Sequence, residues 1–226
     1  LESWGRRAPA SAERPLTQAE IEALIDGRIA QRLDELVEEK LEHPEKLPPD
    51  GDNLAGLLAT LLEKHLTVDR QKVASATPRP TYDLILYQRP NGVPEVHSGV
   101  VCVATESATS ATAYLRRLDQ DSRPLQRVFL ITDQRRPLPL GTTGRAYLDN
   151  LRLRYGTRLD LVELTLAQHA ELNALQAVVG QARAGDLEVV LPGGQARRIT
   201  EAEILASKQR QERFHSHPLL HKLLSQ

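Results

Sequence analysis

The chain has 226 residues and 25.2 kDa, with 40% hydrophobic and 26% charged residues; this supports one substantial domain plus a smaller segment and excludes a disordered chain. A formal net charge of −1 provides no global attraction to nucleic acid, so such binding would need a local basic patch. No apolar run approaches the roughly 20 residues of a membrane span, no signal-peptide core opens the chain, and the single cysteine, Cys102, excludes an intrachain disulfide. A cytoplasmic protein with no membrane partner is expected. With Leu1 first and no Met anywhere, the chain reads as a piece of a longer polypeptide whose other domains would be its partners.

Residues 1–16, rich in Gly, Ala, Pro, Ser and Arg without periodicity, read as a flexible tail. Residues 17–50 read as an amphipathic helix and linker. Thr17 and Glu20 form a capping-box signature, and Ile21, Leu24, Ile25, Ile29, Leu33, Leu36, Val37 and Leu41 follow at steps of three and four. That stripe must pack against something, and a homo-oligomer through this helix is one expectation. His43-Pro44 and Pro48-Pro49-Asp50-Gly51-Asp52 break the pattern. A second amphipathic helix then runs from Leu54 to Leu66 and carries Glu63.

From Pro80 to Ser107 two β-branched segments flank Arg89-Pro90-Asn91-Gly92, the signature of a β-hairpin, with the acid Asp83 facing the second strand. A helix is expected over Ser110 to Leu118, a buried strand over Arg127 to Thr132, a helix over Gly141 to Arg154 and a strand over Leu159 to Leu164. Thr165 and Gln168 cap a helix reaching about Ala184. Leu187 to Leu191 and Ala196 to Ile199 form a terminal hairpin, and Thr200 with Glu203 opens a further helix before the segment at Phe214 to Leu220. Alternation of strand and helix implies an α/β fold, a mixed central sheet flanked by helices over residues 51–226.

The order of these elements and the position of Asp83 resemble the PD-(D/E)XK, or restriction-endonuclease-like, nuclease superfamily. In that pattern an Asp on one strand and an acid-X-Lys triplet on the next bind a divalent cation and position the attacking water. Here the triplet positions hold Cys102, Val103 and Ala104, so the resemblance implies the fold with a degraded motif at Cys102 and Ala104. Asp83 is the one catalytic position it carries over, read here as a hydrogen-bonded relic. A metal ligand set would have to be assembled from Asp83, Glu63, Glu95 and Glu106, with a lysine such as Lys72. No cofactor is expected, or Mg²⁺ or Mn²⁺ if the chain is active.

Cys102, between Val101 and Val103, reads as a small core residue rather than a nucleophile. His215, His217 and His221 form a cluster without the convergent ligands of a zinc site and read as surface histidines. The turn Gly141-Thr142-Thr143-Gly144 lacks the lysine of a phosphate-binding loop. Arg116, Arg117, Arg135, Arg136 and Arg145 are candidate phosphate contacts for DNA. The functional expectation is a non-catalytic nuclease-like module acting in protein interaction or nucleic-acid docking. The alternatives are an active metal-dependent nuclease with migrated ligands, and a helical assembly module.

Overall fold

The structure, a computed structural model, describes Arg14 and residues 16–70, 81–88 and 95–225, leaving aside the side chains at 88 and 95–97. Helix α1, Gln18–Glu42, opens with the capping box: the Thr17 hydroxyl accepts from the Glu20 N–H, and Glu20 returns the bond to the Thr17 backbone at 2.8 Å. Its stripe of Ile25, Ile29, Leu33 and Leu36 is buried within the chain, against α5, Leu166–Ala184, and α7, Lys208–Ser216. Helix α2, Gly51–Leu62, begins where the Asp50 carboxylate accepts from the Asp52 N–H at 3.0 Å.

Helix α2 ends at Leu62, short of the expected Leu66, and a strand that the helical reading overlooked follows: β1, Thr67–Arg70. Its residues pair with β2, Leu84–Gln88, so backbone pairing across the sheet overrides the weak local pattern. Strand β3, Glu95–Val103, is antiparallel to β2, as the hairpin reading requires; the Asn91-Gly92 turn lies outside the described residues. The remaining elements alternate: α3, Ala108–Gln120; β4, Arg127–Asp133; α4, Thr142–Tyr155; β5, Leu159–Leu164; then α5 with its Thr165–Gln168 capping box. A small ribbon of β6, Glu188–Val190, and β7, Ala196–Arg198, precedes α6, Glu201–Ala206, α7, and α8, Pro218–Leu224.

The fold is therefore α/β, with a five-stranded mixed sheet in the order β1-β2-β3-β4-β5, antiparallel across its first three strands and parallel from β3 to β5. Strand alternation divides the core in two. Val100, Cys102, Phe129 and Ile131 face α1, α2, α5 and the C-terminal helices, while Val101, Val103, Val128 and Leu130 face α3 and α4. Parallel pairing brings the carboxyl ends of β3, β4 and β5 to one edge, where open α/β sheets present loops and helix N-termini to ligands. No helix among the described residues is long and apolar enough to cross a membrane.

His215 and His221 are exposed as expected, but His217 is not a surface residue: it is 1% exposed. It caps α8, its Nδ1 accepting from the Leu220 N–H at 3.5 Å while its Nε2 donates to the Gln168 carbonyl at 3.0 Å. An imidazole with both nitrogens engaged ties the C-terminal helices to α5 and is not free to bind metal.

Candidate functional site at the carboxyl edge of the sheet

Asp83 immediately precedes β2, and its backbone N–H donates to the Val100 carbonyl at 2.9 Å. Antiparallel pairing thus sets it beside the 102–104 segment, and its Oδ2 accepts from the Cys102 N–H at 2.7 Å. Burial pushes the Asp83 carboxyl up to about 6; the Cys102 N–H opposes that shift, Asp52 adds to it by like-charge repulsion, and Arg117 counters it. Asp83 thus has the backbone donor expected of it, and Cys102 is a core residue: it is 4% exposed, and burial with the two aspartates nearby pushes its thiol well up.

Asp52 is the acid that sequence reasoning passed over. Its charge is felt at Asp83 because Gly51 lets α2 start directly against β3, where a Cβ would collide with the Cys102 carbonyl oxygen. Glu63, expected on this helix, caps its far end; eleven residues at the helical rise put it about 16 Å from Asp52. Exposed there, it is held by Arg70 at 2.6 Å. Glu106 is exposed and pairs with Arg136 at 3.2 Å. The side chain of Glu95, and Lys72, lie outside the described residues. Glu63 and Glu106 are thus each engaged by an arginine, and among the described residues no group of three or more His, Cys, Asp or Glu is placed to hold a metal ion. Among the described residues, Asp83, already bonded to a backbone N–H, is not joined by the further acids and the lysine that the resemblance implies.

Arg117 of α3, whose charge acts on Asp83, lies with its Cζ 4.6 Å from the Tyr114 ring centroid, its Nε and Nη2 buried and without hydrogen-bond partners among the described residues. Arg135 is taken up internally. It forms both branches of an ion pair with Asp133, at 2.9 and 2.6 Å, and donates to the Leu47 carbonyl at 2.8 Å and the Pro44 carbonyl at 3.3 Å. Asp133, the last residue of β4, also accepts from His169 Nδ1 at 2.9 Å. Burial works against the Asp133 carboxylate, yet the bonds from Arg135 and His169 hold it below its usual range; burial pushes His169 down. This network fastens the 44–47 loop to the sheet edge. Its only sequence signal is a charged residue ending an apolar strand.

The segment that carries these arginines is basic as a whole. Between residues 108 and 158 there are ten arginines and four aspartates, a balance of +6 in a chain of −1, which leaves −7 for the rest. A groove of about 420 Å³ runs between α3 and α4, lined by Thr109, Thr112, Arg116, Thr142, Thr143 and Tyr147. Arg116 and Arg145 are exposed. Helix α4 opens at Gly141 without a side-chain cap, so its first N–H groups remain available at the groove. The 141–144 turn also has a packing role: a Cβ on Gly144 would come within 2.9 Å of Thr112 Oγ1, so the glycine permits close approach of α3 and α4.

Compared with protein-family models, with curated proteins and with solved structures, the chain finds no match in any of the three.

Proposed function

We propose that this chain is a non-catalytic, nuclease-like module that docks nucleic acid on its α3–α4 layer. The observation that carries the reading is charge segregation: a chain with no overall positive charge concentrates ten arginines between residues 108 and 158, beside a groove with threonine hydroxyls and an uncapped helix N-terminus. Arginines spaced along a helical surface suit phosphate oxygens, and 4% aromatic residues leave little for stacking single-stranded bases, so duplex DNA is the preferred ligand. The absence of chemistry follows from the donor set: Cys102 and Ala104 replace the acid and the lysine, and the Asp83 carboxyl is bonded to the backbone.

Fluorescence anisotropy with duplex and single-stranded DNA, at low salt and then over a salt series, tests the docking. Absence of duplex binding at low salt would reject it and leave interaction with other protein domains. A second reading, a metal-dependent nuclease, draws on the repulsion that the Asp52 charge exerts on Asp83. Titration of Mg²⁺ and Mn²⁺ into the wild type and Asp83→Ala, with plasmid cleavage on the same samples, decides it: metal binding lost in the variant together with cleavage would replace the non-catalytic reading.

A further inference from the structure

On the opposite side of the sheet, the turn after α2 and the helices α6 and α7 enclose a cleft of about 240 Å³ lined by Lys64, His65, Leu205, Arg210, Phe214 and His215. Four of these side chains are basic and none is a carboxylate. Arg210 is 5% exposed; its Nε is buried without a hydrogen-bond partner, and among the described residues it forms no ion pair. Its Cζ lies 5.5 Å from the Phe214 ring centroid, a cation–π contact that leaves the Nε–H unsatisfied. His65 stacks on Phe214 at 4.5 Å between centroids and meets His215 edge-on at 6.0 Å. An adjoining hollow of about 190 Å³ shares Lys64, Leu205 and Arg210; the carboxylate on its wall, Glu201, is held by Arg183 at 2.6 Å.

We infer that this cleft binds a phosphate group, free or as a monoester, with Arg210 as its main cation. A buried guanidinium is costly unless an anion and hydrogen bonds accompany it, and among the described residues Arg210 has neither an ion-pair partner nor an acceptor for its Nε–H. The carboxyl end of α2 does not account for it: the Glu63, His65 and Leu66 N–H groups bond back to the last turn, and Arg210 bonds to none of those carbonyls. A planar guanidinium fork, the Lys64 ammonium and two imidazoles that gain donors on protonation match a tetrahedral dianion. Leu205 and Phe214 would seat the organic part of an ester. The volume is far above the ~10–15 Å³ that a single water needs. Burial, with His215 and Arg210 facing it, pushes His65 down. Lys64 adjoins it, and Glu63 of the same turn is held by Arg70. A bound dianion would reverse the electrostatic part of that shift.

The test follows the His65 and His215 imidazole resonances of the whole chain through pH titrations with inorganic phosphate, phenyl phosphate, or chloride at equal ionic strength. Saturable binding that raises the His65 pKa relative to chloride is expected, about tenfold weaker or worse in Arg210→Met and weakened in Lys64→Ala. Arg210→Met should fold, since it removes an uncompensated charge, and Lys64→Ala alters an exposed turn. Tighter binding of phenyl phosphate assigns the ester, and equal binding assigns free phosphate. Phosphate titrations that coincide with chloride, or binding undiminished in Arg210→Met, would overturn the site.

Discussion

The Cys102 N–H donates to the Asp83 carboxylate at 2.7 Å, so an acid that burial would otherwise leave without a partner is bonded to the backbone of the neighbouring strand. A raised carboxyl pKa means that the folded protein binds the proton more tightly than the unfolded chain. Folding is therefore favoured by protonated Asp83, and stability falls as pH rises from the unfolded value near 4 to about 6. Asp83→Asn keeps an acceptor for the Cys102 N–H without the charge. It should raise stability at pH 7 by about 2 kcal/mol and remove this decline from urea midpoints measured over that range. Asp83→Ala leaves the N–H unsatisfied and should gain less or lose about 1 kcal/mol.

Gly51→Ala should destabilise the fold by about 2 kcal/mol in urea unfolding, because its Cβ meets the Cys102 backbone oxygen rather than the movable end of a side chain. Gly27→Ala, with nothing within 4 Å of the added carbon in the middle of α1, should instead stabilise by about 0.5–1 kcal/mol.

Asp133→Ala should cost about 3 kcal/mol, since it leaves the Arg135 guanidinium and His169 without their shared anion. Faster proteolysis near the 44–47 loop would accompany the loss, because Arg135 ties that loop to the sheet.

The buried His169 and His217 and the more exposed His65 all have pKa values pushed below the ordinary value near 6.5, so each binds its proton less readily in the folded state. Their contribution is present above 6.5 and is lost as pH falls below it, opposite in sign to that of Asp83. His217→Gln, which can still donate to the Gln168 carbonyl, should lessen the loss of stability between pH 7 and 5 in parallel urea titrations.

Duplex affinity should fall steeply with salt, and the double variant Arg116→Glu/Arg145→Glu should bind at least about tenfold more weakly with a shallower salt slope. An unchanged slope would remove these arginines from the interface.

Sequence by itself determined what depends on near neighbours. The capping boxes at Thr17, Thr165 and Thr200, the periodic stripe of α1, the strands at 127–133 and 159–164 and the α/β class all follow from interactions within a few residues. Cys102 as a core residue was legible from its apolar neighbours, and Asp83 from its place at the hairpin. Tertiary structure decided the rest. The effect of Asp52 on Asp83, the capture of Arg135 by Asp133, the burial of His217 and the lack of a partner for Arg210 Nε among the described residues depend on which helix ends the sheet brings together. Such contacts join positions tens of residues apart, and a side chain's own neighbours in sequence carry no record of the charge it will face across the fold.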